Sequence, residues 1–559
     1  MKDDKSIPVL LRKTIPPQLE KIKHGHFTID DENYSIHMYL KDNDITVQEE
    51  GSEIVNFLKG KNILVTGATG FLGKLLIEKL LRSCKDIGTI YLIVRNKKGT
   101  DFQDRVEKYL DDFIFYKLLD IYPNFKEKIH GIYGDFEQDG IGMSQESRQL
   151  LINEVNIIYH IAATVRFDEK LPKAIKINVV GTYEMLKLAK ECKKLMGFVY
   201  MSTAFANCHK KLIEETFYAP YLDPYKIMNL LKDFPEDLIE RIAPSLLGQA
   251  PNTYAFTKQI TEHLVMKESA GIHCCIQRPS IVISTAKEPI RSWTDSIFGP
   301  IGLIIGAVCG LLHIMYCKEN NRCDLVPADY VINHCIACSY KTVKDGRKDR
   351  IDIFNFTSTN ENPIYWKGLQ MCEKYGNKLG SFKCLVMPFC RCTEFYYWYL
   401  FLKFWFHTIP SYFIDFGLIL TGKKPLLREA YIKIDKFITV LSHFTMNEWS
   451  FEYQNTTKLW NELSDVDKKN FNFDMKSLNW EQYFTTFLLC LREFILRENL
   501  DNLEESRRHM TKNKIIFYII VTTVLASSTY LFINTIFFFI PLMFISIIVY
   551  FRFTKNNNL

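Results

Sequence analysis

Net charge is small in this chain. Its 559 residues carry 70 Lys and Arg against 64 Asp and Glu, a formal +6 too diffuse for a nucleic-acid footprint. Paired cysteine motifs are scarce as well: Cys335-x-x-Cys338 and Cys390-x-Cys392 have no second pair at zinc-binding spacing, so no metal site is expected among the 15 cysteines. The opening Met-Lys-Asp-Asp-Lys leads into polar sequence with no apolar signal core, so the bulk of the chain is expected in the cytosol with reduced thiols. There is no internal repeat, and 47% hydrophobic with 24% charged residues excludes a mainly disordered, collagen-like or coiled-coil chain. The sharpest shortage is local. From Ile515 to Tyr550, 36 consecutive residues include no Asp, Glu, Lys, Arg or His. A bilayer span needs about 20 apolar residues, so this run is expected to anchor the chain in a lipid bilayer. It would do so as one long tilted helix or as two short ones turning near Asn534 or Pro541.

At this length roughly three or four structural units are expected. Residues 1–58 are polar, with Pro16-Pro17 and no sustained period, and read as a tether or loosely docked arm. From Lys61, short β-rich runs (Asn62–Val65, Thr89–Val94, Lys128–Tyr133, Asn156–Ile161, Gly197–Met201, His273–Gln277) alternate with helical periods such as Ala174–Lys193. That alternation predicts an α/β fold, a doubly wound parallel sheet covered on both faces, over residues 59–345. Past Arg350 the pattern turns helical, giving a second domain at 350–500 before the anchor at 515–551. The aromatic block Phe395–Phe406 is expected to be buried core or a helix contact, the competing reading being contact with a bilayer surface or an acyl chain.

The strand Ile63–Val65 runs into Thr66-Gly67-Ala68-Thr69-Gly70-Phe71-Leu72-Gly73 and then the helical Lys74–Leu81. Glycines at this spacing between strand and helix serve a tight turn, close approach of a pyrophosphate and close helix packing, with phosphates on the helix N-terminus. Thr66, Gly67, Thr69, Gly70, Phe71, Leu72 and Gly73 are therefore candidate cofactor contacts. The second strand ends in Arg95-Asn96-Lys97-Lys98, with no acid to take the ribose 2′-hydroxyl of NAD. Arg95, with Lys98 beside it, suits the 2′-phosphate of NADPH. Asp135, after the third strand, is placed either to cap the adenine or simply to make a turn.

Tyr254 and Lys258 are four residues apart, hence on one helix face. An ammonium beside a phenol lowers the cost of ionising it, so the tyrosine can protonate an oxyanion as hydride arrives. Ser202-Thr203 closes the fifth strand, where either hydroxyl could reach the same carbonyl. Asn178, amid apolar helix positions, either orients Lys258 through a water or is a satisfied core amide.

These elements are similar to those of the extended short-chain dehydrogenases/reductases, whose NAD(P)-binding domain is Rossmann-type. Within that class, Thr66–Lys74, Ala162-Ala-Thr-Val-Arg-Phe-Asp168, Asn252–Lys258, Arg278-Pro-Ser-Ile-Val282 and Trp293-Thr-Asp295 through Gly299-Pro300 closely resemble the fatty acyl-CoA reductases. Asp324–Val331 and Asn355-Phe-Thr-Ser through Asn360-Glu-Asn-Pro363 continue the resemblance, in order, from about residue 60 to 460. It implies NADPH-dependent reduction of a long-chain acyl-CoA to a primary fatty alcohol through an aldehyde, with release of CoA and no nucleophilic cysteine. It implies further that Ala162 joins the cofactor contacts, that Tyr254 is the acid, that Lys258 is its activator and ribose ligand, and that Thr203 or Ser202 is the carbonyl partner. A helical C-terminal domain and a hydrophobic anchor also go with the resemblance. The chain departs from the pattern at Ile305-Gly-Ala-Val-Cys-Gly310, which lacks a lysine that would give CoA a basic contact. A membrane-bound reductase of a sterol or similar hydroxyl or ketone, a reductase stopping at the aldehyde, or a scaffold protein with a vestigial fold are the alternatives.

Arg507, Arg508, Lys512 and Lys514 precede the uncharged run, against Arg552 and Lys555 after it, which predicts a reductase facing the cytosol. The terminal Asn-Asn-Leu559 is not a peroxisomal signal, so the endoplasmic reticulum is the first expectation and the peroxisomal membrane the second. Oligomeric state is not legible in the sequence.

Overall fold

Seven parallel strands form the body of the protein in the computed structural model. It describes residues 45–519, apart from residues 98, 298, 370–371, 373–375, 377–379, 385–386 and 499–501, and a few positions from 522 to 533. The strands are β1 (Ile63–Thr66), β2 (Ile90–Val94), β3 (Ile129–Tyr133), β4 (Ile157–His160), β5 (Gly197–Met201), β6 (Cys274–Pro279) and β7 (Asp352–Phe356). Their order across the sheet is β7-β6-β5-β4-β1-β2-β3. From β1 the chain proceeds outward to β2 and β3, then crosses back to β4 on the other side. A crevice therefore opens past the carboxyl ends of β1 and β4, the switch point where α/β sheets bind ligands.

Near-continuous apolar runs such as Ile63-Leu-Val and Ile90-Tyr-Leu-Ile-Val are wholly buried because helices cover both faces. Side chains alternate between two cores. Ile63 and Val65 meet α1 (Phe71–Ser83) and α4 (Ala328–Asp345), while Leu64 meets α2 (Gly181–Glu191) and α3 (Thr253–Glu268). The periodic segment Ala174–Lys193 is helical, but with a π-helical turn at Ile175–Val180 leading into α2.

Six strands fall on the runs read from the sequence, and β7 is an addition. Asp352 and Asn355 interrupt its apolar pattern, and it follows the charged turn Lys344–Arg350. It is buried because the chain returns to cover it. The Asn355 amide nitrogen donates to the Ile213 and Glu452 carbonyls at 3.2 and 2.9 Å, tying β7 to a short parallel ladder of Leu212–Ile213 with Ser450–Phe451.

Three expectations change. Within the segment read as an arm, Glu53–Leu58 is a helix with Ile54, Val55 and Leu58 in the core, and Asp467 accepts hydrogen bonds from Ser52 and Glu53 at its start. Those residues belong to the reductase body; residues 1–44 lie outside the described residues. The region past 350 is helical, with α5 (Tyr396–Lys403), α6 (Ile409–Leu420) and α7 (Leu427–Met446), but Phe471, Phe473, Tyr483 and Phe487 return to the main core. The aromatic block is not core: within Phe395–Phe406 only Tyr399 is buried, and Tyr397 is 85% exposed.

Among the described residues no helix is long and apolar enough to cross a membrane. Of the run read as an anchor, residues 515–519 are helical with Ile515, Ile516 and Ile519 exposed, and residues 534–559 lie outside the described residues. All 15 cysteines are free thiols.

Candidate active site

The glycine loop sits between β1 and α1, facing the crevice. Gly67 takes φ +73°, which L side chains rarely adopt, and a Cβ there would meet the Ala162 nitrogen at 2.8 Å. A Cβ on Gly73 would come within 2.2 Å of the Gly67 carbonyl, so only glycine lets α1 pack against the turn. Gly70 is the N-cap of α1, and no side chain caps that helix. Its first amides are therefore left for a ligand, and with the helix dipole they suit a pyrophosphate as donors. Phe71 packs on Trp293 with ring centroids 5.4 Å apart, and Lys74 bridges Asp112 and Asp295 at 2.8 Å each, which fixes the outer side of the loop.

Thr66 lies beneath the loop rather than in it. Its side chain is fully buried; the hydroxyl accepts from the Ile161 and Ala162 amides at 3.2 and 3.1 Å and donates to His160 Nδ1 at 2.8 Å. His160 Nε2 in turn donates to Thr182 Oγ1 at 2.9 Å, and the Thr182 hydroxyl donates to the Asn178 carbonyl at 2.7 Å. This tautomer is the one that lets every member of the chain both give and receive. Burial, with Lys258 adding to it, pushes His160 down to about 3, so the ring is neutral.

At the carboxyl end of β2, Arg95 is half-exposed and donates to Glu137 at 2.9 Å, with Asp135 3.9 Å away. Exposed pairs of this kind are worth about 0–1 kcal/mol, so a phosphate dianion can displace the acid. A second guanidinium, Arg105, donates to the Arg95 carbonyl and is held down by burial and by the neighbouring Arg95 charge. Sequence reading missed Arg105, although it lies one turn into the helix after the basic strand end. Asp135 accepts from the Glu137 amide at 3.0 Å, so it makes the turn that the sequence allowed. Lys98 lies outside the described residues.

The catalytic candidates converge past β5. Asn252 caps α3, its side chain accepting from the Ala255 amide at 2.8 Å, and so fixes Tyr254 and Lys258 in the first turns. Burial holds the Tyr254 phenol's pKa up, and the neighbouring Thr203 hydroxyl acts against that rise. Lys258 is buried, donates to the Met201 carbonyl at 2.6 Å, and stands 4.7 Å from the Tyr200 ring and 6.0 Å from the Tyr254 ring. Burial brings it down to about 7, against the opposing pull of Glu262.

The two neighbouring hydroxyls divide. Thr203 faces Tyr254, whereas Ser202 donates to Glu262 at 2.5 Å. Glu262, a further turn along α3, also receives Arg278 through Nε at 2.8 Å and Nη2 at 2.7 Å. Arg278 is spent on the Glu214 and Thr216 carbonyls as well. Extending the four-residue spacing from Tyr254 through Lys258 would have reached Glu262. Asn178 is a clamp: its amide accepts from Thr164 N at 2.8 Å and donates to the Thr164 carbonyl and Thr257 Oγ1 at 3.2 and 2.9 Å. Its side chain joins the loop after β4 to α3, as the core-amide reading expects, and makes no direct contact with Lys258. Phe167 stacks on Tyr254 at 5.9 Å and on Phe444 of α7 at 5.5 Å, closing an apolar wall on the substrate side.

A hydroxyl pair backed by a buried ammonium, set beside a glycine-loop crevice, defines a nicotinamide-dependent reductase of Rossmann type. Two family models, both described as male sterility protein, match residues 65–335, the first of them an NAD-binding model, and residues 406–498. Fatty acyl-CoA reductase 1 of Rattus norvegicus is 37% identical over 469 residues, covering 83% of this chain and 90% of its own. Fatty acyl-CoA reductase wat of Drosophila melanogaster is 35% identical, covering 90% and 95%, and fatty acyl-CoA reductase 2 of Bos taurus is 35% identical, covering 91% and 100%. The chain belongs to the fatty acyl-CoA reductase family. In fold it is similar to the terminal R domain of the myxalamid PKS-NRPS pathway, with TM-score 0.50 and 20% identity over 81% of this chain and 96% of that one. Among the described residues no group of three or more His, Cys, Asp or Glu is arranged to hold a metal ion.

Proposed function

We propose that the protein reduces a long-chain fatty acyl-CoA to the primary alcohol with two successive hydride transfers from NADPH and release of CoA. The observation that carries this reading is the buried Lys258 ammonium, fastened to the Met201 carbonyl 6.0 Å from the Tyr254 ring with Thr203 beside the phenol, at the crevice beside the glycine loop, in a chain of this family. NADPH would supply the hydride when bound; the α1 N-terminus would hold its pyrophosphate, and Arg95 with Arg105 its 2′-phosphate. Two guanidiniums with no acid at the end of β2 support NADPH over NADH.

The thioester oxygen takes hydrogen bonds from Tyr254 and Thr203, so negative charge that develops there is met by donors already in place. The buried Lys258 ammonium lowers the cost of drawing the phenolic proton away, and Tyr254 delivers it to that oxygen. The resulting hemithioacetal loses CoA as the thiol to leave an aldehyde. The aldehyde oxygen then occupies the same donors for the second reduction, and Tyr254 again gives the proton. Phe167 and Phe444 keep water from the reacting carbon.

The uncharged run at 515–550 supports a membrane anchor, and the cationic excess before it supports a cytosolic reductase, on the endoplasmic reticulum first and the peroxisomal membrane second. Purified full-length protein given hexadecanoyl-CoA and NADPH should form hexadecanol with about two NADPH oxidised per CoA released. Turnover without CoA release would favour a sterol or ketone substrate. Protease added to intact microsomes should remove the reductase domain; protection would reverse the orientation.

A further inference from the structure

The helical run from Tyr396 to Leu420 is inside out. Its inward face carries Tyr399, Lys403, His407, Ser411 and Asp415, spaced four apart, and each is spent on the protein. Lys403 pairs with Asp435 at 3.1 Å, His407 Nε2 accepts from the His313 and Ile314 amides, and Ser411 donates to the Thr408 carbonyl. Asp415 caps α7, accepting from the amides of Leu426, Leu427 and Arg428. The outward face has no charge at all. Every exposed side chain from Phe395 to Leu420 is aromatic or aliphatic, and Tyr397, Phe413 and Leu420 are 85%, 73% and 71% exposed. A water-facing helix has the opposite arrangement.

We propose that this face docks into the headgroup layer of a lipid bilayer, a second membrane contact separate from the uncharged C-terminal run. Three observations choose lipid over a second copy or another segment. Tyr and Trp dominate α5, as they do at membrane interfaces, while Lys423 and Lys424 stand exposed at the turn between Leu420 and Leu426, placed for anionic headgroups. Arg428 lies over the Tyr412 ring at 5.1 Å on the same rim, and the acid beside it is Glu429. Finally, the face is continuous with the anchor: Phe389 meets Phe406 at 5.4 Å and Phe517, at the start of the uncharged run, at 5.8 Å. The run lies in the plane of the bilayer and does not cross it, because α7 packs along it and turns Lys433 and Lys436 to water.

The test uses the full chain reconstituted in vesicles of phosphatidylcholine and phosphatidylserine, part of the phosphatidylcholine brominated on its acyl chains. Trp398 and Trp405 are exposed, whereas Trp293, Trp366 and Trp449 are buried. Bromolipid should quench tryptophan emission, and the quenchable signal should fall at least twofold in Trp398→Phe/Trp405→Phe, a variant that keeps an apolar aromatic ring at both positions. Flotation of the same vesicles reports anchoring separately, and neither readout depends on turnover. An equal quenchable signal in both proteins overturns the proposal. So does quenching by bromolipid that disappears as protein density on the vesicle rises, which would assign the face to a second copy. Failure of both proteins to float would remove the anchor along with it.

Discussion

Replacing Glu262 by Gln isolates the residue that supports the catalytic helix without touching the reacting atoms. The Glu262 and Arg278 side chains are 3% and 0% exposed, joined by two hydrogen bonds, and Glu262 also receives Ser202 and Asn207. Gln offers one acceptor oxygen and turns an amide N–H₂ toward the guanidinium. Arg278 cannot leave, since its remaining donors hold Glu214 and Thr216. A buried cation is left uncompensated, at a cost of about 3–5 kcal/mol. Urea unfolding of the detergent-solubilised full chain, followed by circular dichroism, should show a correspondingly lower midpoint with little change in slope. Glu262→Gln/Arg278→Met should regain most of the loss, because the uncompensated charge goes with its partner. A single variant within about 1 kcal/mol of the parent, or a double variant weaker than the single, would refute the account. Glu262 also holds the Lys258 pKa up against burial, so the alkaline fall in kcat/KM should begin at lower pH in the surviving Glu262→Gln protein.

Three further outcomes follow from the site. Tyr254→Phe should lower kcat by about 10²–10⁴-fold with NADPH binding kept by fluorescence titration; unchanged turnover would remove Tyr254 as the acid. Thr203→Val should lower kcat, whereas Ser202→Ala should act mainly on the urea midpoint, because only Thr203 faces Tyr254; equal kinetic losses would contradict that division. Lys258 sits near 7 when buried and near 10.4 when unfolded. Below about pH 7 both states hold the proton; above it only the unfolded chain does, so this group makes stability rise with pH toward about 10, by up to about 1.4 kcal/mol per unit. Over the same range kcat/KM should fall as the ammonium that assists Tyr254 is lost; a flat profile through pH 7 would exclude Lys258 as that group.

Much of the reductase body was legible because its signals are local. Ile63–Val65 running into glycines, and Tyr254 four residues before Lys258, are patterns whose chemistry depends on spacing, and the structure brings them to one crevice. What escaped depends on distant contacts. β7 carries Asp352 and Asn355, and its strand state is legible only once the ladder at Leu212 and Ser450 covers it. Ser202 and Thr203 differ only in which way each faces the end of β5, a matter of strand pleat and the position of Glu262. Phe395–Phe406 looks like core because composition reports hydrophobicity and not the side it faces; the polar stripe Tyr399, Lys403, His407, Ser411 and Asp415 was the available signal.

The hydroxyl–imidazole chain beneath the cofactor loop has a consequence for how the protein responds to acid. Burial lowers both His160 and Lys258, but to different places: about 3 for the imidazole, far below physiological pH, and about 7 for the ammonium, within it. Across the pH range of a living compartment the first never changes state, so the hydrogen atoms along Thr66, His160, Thr182 and Asn178 keep a single direction. The second is poised to change. One desolvated pocket thus contains a mute histidine that fastens cofactor loop to helix and a responsive lysine that reports the surrounding proton activity. Acidity can modulate the chemistry at Tyr254 without loosening the seat on which the dinucleotide rests.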